Sequence, residues 1–428
     1  MRLAWFSPWP PERSGIAGRS AELVPVLEAR GHQIDVYDRA RAHDFLPRHV
    51  TRPYELVIYQ LGNSWLHEFI WPYLFRYPGL AVLHDARLHH ARGHSSLARR
   101  DQRAYREEFA WSEPGIGADA AELAIHGFDG AYYYQWPMTR AAIEASRVTA
   151  VHARVEATRL AAAHADRVIE HVTLGEGVAA PLIDADRATA RAAWNVAPDA
   201  IVFGVFGGLT ADKRLLPILR AFAATAARTP AARLVLAGTP HASVDIEGVA
   251  ASLGIADRVH LLGALDDAAF DAAIGAVDVS LHLRWPTARE MSGPWLRALS
   301  AGRATIITDL EHLTDVPALD PRSWRPLISG VEPITVAVDI LDEEHSLRLA
   351  MHRLASDAML REALGRAGRT SWERTHTLEH MAADYERVIA RAAASPAPQV
   401  SLPASLRPDA FASLDNLLAP TGVTCALR

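Results

Sequence analysis

AIVFGVFGGLTADKRLLPILRAFAATAAR, residues 200–228, decides the fold class. An apolar run over 200–206 ends in a glycine turn, and an amphipathic stretch over about 211–228 follows. Strand, glycine turn and helix in that order form the building block of a parallel sheet. Short apolar runs of the same kind continue downstream: RLVLAG at 233–238, VHLLG at 259–263, VSLHL at 279–283 and ATIITD at 304–309. Each is too short for a buried helix and reads as a strand.

The pattern also occurs upstream. RLAWF at 2–6 reads as a strand, then a Pro/Ser/Gly loop and a helix over 16–30 closed by Arg30-Gly31. QIDVY at 33–37, LVIYQ at 56–60, LAVLHD at 80–85, TAVHA at 149–153 and RVIEHV at 167–172 complete a first strand set. Residues 95–147 interrupt the rhythm with charges and then aromatics (Trp111, Phe128, Tyr132, Tyr133, Tyr134, Trp136) and read as a helical insertion. The expected fold is α/β, with two Rossmann-like, doubly wound parallel-sheet domains facing a central cleft. The expected domains are 1–185, 186–370, a helix over 371–394 returning to the first domain, and a proline-containing tail at 395–428.

Composition narrows the function. Half of the 428 residues are hydrophobic and 22% charged, which excludes wholesale disorder. A net charge of -6 argues against nucleic acid as a partner. The single cysteine, Cys425, leaves no cysteine metal site or redox pair and fits a reducing, cytoplasmic setting. No run approaches the roughly 18–20 apolar residues that span a bilayer, which leaves peripheral membrane contact open.

Ligands of doubly wound sheets bind beyond the carboxyl ends of the strands, so four post-strand loops carry the chemistry. Ser14-Gly15-Ile16-Ala17-Gly18 opens a helix whose amides attract anions, or is an ordinary turn. Gly207-Gly208-Leu209-Thr210-Ala211-Asp212-Lys213-Arg214 sets two cations at a helix entry, where a bound diphosphate would compensate them. Arg284 to Trp295 (RWPTAREMSGPW) brings Glu290 and Ser292 to the start of another helix, as ligand contacts or as a cap. His84-Asp85 ends a strand and offers a polar anchor, while His90 and His94 stand at the i,i+4 spacing of metal ligands among 20 histidines. A nicotinamide-cofactor reading rests on Gly15, Gly18 and Asp35, without the third glycine of GxGxxG.

Together these loops resemble the retaining glycosyltransferases of GT-B fold, specifically the family-4 (group 1) enzymes of bacterial polysaccharide assembly. The likeness covers about residues 2–390 and is carried by SPWPPERSGIA, VLHD, FGGLTADKR, LVLAG, VHLLG, DVSLHLR and WERTHTLEHMAADYERVI, with QLGNSWLHEF and HDARLHHA pointing to polysaccharide enzymes. It implies a nucleotide-diphosphate sugar donor in the second domain, a saccharide or lipid-linked saccharide acceptor in the first, and no cofactor or metal. It further implies that Lys213, Arg214 and Gly15 contact the diphosphate and that His84 lies near the transferred sugar. Glu290 would contact that sugar, and Gly208, Met291, Ser292, Gly293 and Arg297 the donor sugar or nucleotide. Retention would follow a front-face course. Two positions depart from the family: its glutamate pair, eight residues apart, falls on Arg289 and Arg297, with Glu290 displaced by one. Gly208 stands where its diphosphate loop carries arginine. The altered pair motivates a rival reading as a noncatalytic binding or scaffold protein.

Overall fold

In the computed structural model, residues 1–12, 14–128, 130–176, 184–399 and 402–407 are described. Among the described residues thirteen strands form two sheets. The first contains β1 (Arg2–Phe6), β2 (Gln33–Tyr37), β3 (Leu56–Leu61), β4 (Leu80–Leu83), β5 (Val148–Val151) and β6 (Ile169–His171) in the order β2-β1-β3-β4-β5-β6. The second contains β7 (Ile201–Phe206), β8 (Ala232–Ala237), β9 (Val259–Gly263), β10 (Val279–His282), β11 (Ala304–Asp309), β12 (Ala318–Leu319) and β13 (Thr335–Asp339) in the order β12-β13-β11-β10-β7-β8-β9. The pairings β2-β1-β3-β4-β5 and those of the second sheet are parallel.

Burial on both faces explains why these strands read as unbroken apolar runs rather than alternations. LVIYQL of β3 and LAVL of β4 are buried throughout. In the second sheet, Phe203 and Val205 pack with Leu215, Ile218 and Phe222 of the helix Leu215–Arg228 and with Leu347 and Met351 of the helix Glu343–Ser356. Their neighbours Val202 and Phe206 point the other way, into a core with Ile274 and Ala298. Adjacent residues of one strand therefore serve two cores, the doubly wound arrangement. In the first sheet Phe6 anchors an aromatic group, its ring centroid 5.1 Å from Tyr37 and 5.2 Å from Phe45.

The chain divides into two compact units. One comprises Met1–Val151, Leu160–Glu170 and Glu386–Arg428; the other comprises His152–Arg159 and His171–Tyr385. The division falls inside the helix Leu378–Ala394. Most of the proposed tail, including Cys425, lies outside the described residues; within them Ala404 N donates to Glu107 at 2.8 Å.

The insertion is helical; Tyr105 and Phe109 are its buried aromatics, Tyr132, Tyr133 and Trp136 are partly buried against them, and Phe128 is exposed. His89 Nε2 lies 2.7 Å from the Tyr105 hydroxyl. Beside them Arg92 makes a bidentate pair with the fully buried Glu108 (2.5 and 2.8 Å) and stacks over Trp71. Strand β13 was not apparent among the sequence-read strands, although TVAVD has four buried residues.

Candidate functional site

A doubly wound sheet opens a crevice where neighbouring strands send their connections in opposite directions. In the second sheet that point lies between β7 and β10, which pair directly while β7 continues to β8 and β10 to β11. The two loops singled out in sequence, 207–214 and 284–295, leave these two strands.

After β7 the backbone turns sharply at Gly207, whose φ is +87°. A Cβ there would sit 2.7 Å from Lys213 Nζ, so the turn lies against the lysine head and a side chain would displace it. Residues Ala211–Lys213 form one 3₁₀ turn, and Lys213 Nζ donates to the Phe206 carbonyl at 2.5 Å. Desolvation, reinforced by the nearby Arg284 guanidinium, pulls the Lys213 ammonium down to about 7 against the opposing pull of Asp212 and Glu290.

Arg214, expected beside it, goes elsewhere. It adopts left-handed backbone (φ 60°) between the 3₁₀ turn and the helix Leu215–Arg228. Its guanidinium grips Glu343 in a bidentate pair at 2.7 and 2.6 Å. Adjacent cations in sequence thus part company: Lys213 lines a cavity and Arg214 ties two helices together. Gly208 has open space where a Cβ would stand.

After β10, the Arg284 amide donates to Thr308 Oγ1 at 2.9 Å. Its guanidinium donates through Nη1 to Asp212 and through Nε to Glu290 Oε1, the latter at 2.7 Å. Thr287 Oγ1 donates to Glu290 Oε2 at 3.0 Å, so both carboxylate oxygens of Glu290 are held. Burial pushes the Asp212 carboxyl up, but Arg284 and the Thr210 hydroxyl outweigh it and hold it below the usual range. His282, at the end of β10, is brought down to about 3 by burial and by the charges of Lys213 and Arg284, so its ring is neutral at physiological pH.

Ser292 caps the helix Gly293–Ser300, its hydroxyl accepting from Trp295 N at 3.3 Å. The cap reading of the sequence holds, and the helix start, with Gly293 first and Pro294 next, still presents amides. Met291 packs with the core around Trp295. Phe206, Lys213, His282, Arg284, Glu290 and Ser292 line one cavity, with Leu281, Leu283, Trp295, Ile307, Thr308, Leu310 and Leu313 as the rest of its wall. Of the sequence-predicted residues, Lys213, Glu290 and Ser292 therefore meet. Arg297 is directed to Glu176 (3.1 Å) and Asp271 (2.9 Å), and Arg289 to Glu156 (2.8 Å) and Glu311.

Gly15 and His84 belong to the first unit. Gly15 begins the helix Gly15–Ala29, capped by Ser14, whose hydroxyl accepts from Ala17 N at 3.1 Å. His84 Nε2 lies 2.7 Å from Oε1 of the buried Gln60, a partner on β3 that sequence reading missed. The dinucleotide alternative loses its acidic residue. Asp35 sits in the middle of β2, where it accepts from the Tyr54 hydroxyl at 2.5 Å and Arg2 at 3.1 Å instead of awaiting a ribose. His90 is likewise engaged, with Asn63 Nδ2 at 3.1 Å and Tyr133 stacked at 4.4 Å. Among the described residues no group of three or more His, Cys, Asp or Glu is arranged to hold a metal ion, and no helix is long and apolar enough to cross a membrane.

Residues 200–320 match the family described as Glycosyl transferases group 1. No curated protein matches the chain. Among solved structures, the sucrose-phosphate synthase from Thermosynechococcus elongatus superposes with a TM-score of 0.63 at 16% identity, over 91% of this chain and 98% of that one. HepE from Anabaena, solved in complex with UDP and glucose, gives 0.61 at 11% identity over 91% and 99%. WaaG, a glycosyltransferase involved in lipopolysaccharide biosynthesis, gives 0.60 at 13% identity over 90% and 99%. The chain has the GT-B fold, and its residues 200–320 are similar to the group 1 glycosyltransferases.

Proposed function

We propose that this protein transfers a sugar from a nucleoside-diphosphate sugar to a saccharide or lipid-linked saccharide, with retention of configuration and without a metal. The observation that carries the reading is the cavity at the β7/β10 switch point, where Lys213, Glu290 and the Ser292-capped helix start converge. UDP and glucose in the HepE complex support a donor of this class.

In the reaction, the bond between the anomeric carbon and the β-phosphate oxygen breaks while the acceptor oxygen bonds that carbon on the same face. The acceptor proton passes to the departing phosphate oxygen. Charge grows on the diphosphate as it leaves, so the protonated Lys213 and the amides from Met291 to Gly293 stabilise the transition state more than the ground state. Glu290, oriented through Thr287 and Arg284, accepts hydrogen bonds from donor-sugar hydroxyls. Gly15 and His84 enter the proposal through the family resemblance, at the diphosphate and near the transferred sugar.

The test is a panel of nucleotide sugars, scored for binding by thermal shift and for release of nucleoside diphosphate, with Lys213→Ala and Glu290→Ala alongside. The anomeric configuration of the product by NMR checks retention, and unchanged turnover in EDTA checks metal independence. A noncatalytic binding role is favoured by one observation: arginines replace the glutamate pair, and Arg289 and Arg297 are both occupied by carboxylates. Donor binding without turnover for any acceptor supports that rival.

A further inference from the structure

The residue before Glu290 stands in backbone that a side chain disfavours. Arg289 has a φ of 60°, in the left-handed region, where a Cβ crowds the following carbonyl. Such a conformation persists only where the surroundings hold it. Here the Arg289 amide donates to Thr287 Oγ1 at 2.9 Å, Nη1 donates to Glu156 Oε2 at 2.8 Å, and Nη2 donates to Glu311. Glu156, on the helix Arg154–Ala163, has no exposed surface and also accepts from Arg159 Nε, 3.0 Å from each oxygen. Glu311 opens the 3₁₀ turn Glu311–Leu313 after β11, and the next residue, His312, places Nε2 3.2 Å from the Glu290 carbonyl.

We propose that Arg289 is a positioning residue for Glu290: clamped between Glu156 and Glu311, it holds the left-handed turn from which the Glu290 carboxylate reaches the cavity. The inference rests on the glycosyl-transfer reading above. Three features support it. First, the two neighbours part: Glu290 belongs to the cavity wall, whereas Arg289 does not and is directed to its two carboxylates. Second, the clamp needs a guanidinium, whose planar fork can offer separate nitrogens to carboxylates on two different elements. Third, one hydroxyl links the clamp to the carboxylate. Thr287 Oγ1 accepts from the Arg289 amide and donates to Glu290 Oε2, so a shift of the backbone at 289 moves the group that orients Glu290. An arginine at the first position of the resembled glutamate pair thereby has a task of its own, and the carboxylate one residue on has a support.

Release of nucleoside diphosphate from UDP-glucose, GDP-mannose, ADP-glucose and TDP-glucose, with mixed saccharide acceptors present, selects the working donor for the full chain. Turnover of that donor is then followed in a double-mutant cycle of Arg289→Ala and Glu290→Ala. A residue that acts through another loses its effect once the other is gone. Arg289→Ala therefore slows turnover about 10- to 100-fold in the wild-type background, the cost of a misplaced group, and slows it no further in the Glu290→Ala background. Calorimetry with the free diphosphate shows affinity falling far less than turnover. Arg289→Lys keeps the charge without the fork and falls between Arg289→Ala and the wild type. An arginine that merely ties the loop down behaves differently: the loss is the same in both backgrounds and extends to diphosphate affinity, and that result overturns the proposal. It is equally overturned if Arg289→Ala or, should that variant not fold, Arg289→Lys turns the donor over like the wild type. A wild type that turns over none of these donors instead overturns the glycosyl-transfer reading, and the proposal with it.

Discussion

Lys213 makes donor binding pH-dependent. Its ammonium titrates at about 7 in the ligand-free site, where an ordinary lysine titrates near 10.4. The cause is desolvation assisted by Arg284, and a bound diphosphate reverses the balance by placing negative charge beside the amine. Binding therefore selects the protonated form and takes up protons. The sign follows directly: raising the pH above 7 empties the competent form, so affinity falls. With a free-site value near 7, the protonated fraction drops from about one half at pH 7 to about one hundredth at pH 9, a loss of roughly 50-fold in affinity. The terminal phosphate, with a second pKa of about 6, is mostly ionised at pH 7 and adds little opposing slope above it. Titration calorimetry in two buffers of different ionisation enthalpy reads the linked proton directly, at roughly three-quarters of a proton per diphosphate at pH 7.5. Lys213→Met removes both the slope and the uptake. A flat affinity profile between pH 7 and 9, or the same slope in Lys213→Met, refutes the reasoning.

Arg214→Ala destabilises the fold by about 2 kcal/mol, since it leaves the buried Glu343 carboxylate unpaired, yet leaves diphosphate affinity at the wild-type level; denaturant unfolding and calorimetry separate the two. Gly207→Ala both strains the left-handed turn by about 1 kcal/mol and displaces the lysine ammonium lying 2.7 Å from the new methyl, so stability and diphosphate binding fall together, whereas Gly208→Ala, with open space around it, changes neither measurably. Glu290→Gln keeps the shape of the carboxylate but loses its pairing with Arg284 and its support of the Lys213 charge; turnover falls about 10²-fold or more while diphosphate affinity falls far less, the two read by steady-state kinetics and calorimetry on the same sample.

The parts legible in sequence share a physical cause. Strands such as LVIYQL and LAVL are buried on both faces, so their composition alone marks them. Ser292 was legible because a hydroxyl before Gly-Pro is a local capping signal, and Lys213 because glycines precede it at a strand end. What lay hidden depended on distant partners or on backbone hand. Nothing in the pair Lys213-Arg214 announces that left-handed backbone at the second residue sends it to Glu343, 129 positions on. Arg284 reaches Lys213 only because β10 pairs with β7, a neighbourhood that no local sequence signal encodes. Asp35 fits the spacing of a ribose-binding acid, and only the position of Arg2 and Tyr54 shows it occupied. Strand β13 has an ordinary apolar signal, but it follows a stretch of prolines and charges over 317–333 that reads as loop.

The central claim is that the loops after β7 and β10 bind a nucleotide sugar and release its diphosphate. Mass spectrometry of the products formed from UDP-, GDP-, ADP- and TDP-sugars, in the presence of mixed saccharide and lipid-linked acceptors, tests it most directly. The account predicts that one class of donor yields its free nucleoside diphosphate with the sugar moved to an acceptor, and that Lys213→Ala slows this by about 10²–10³-fold. A wild-type protein that neither binds nor turns over any of these donors, or a Lys213→Ala variant as active as the wild type, would contradict it.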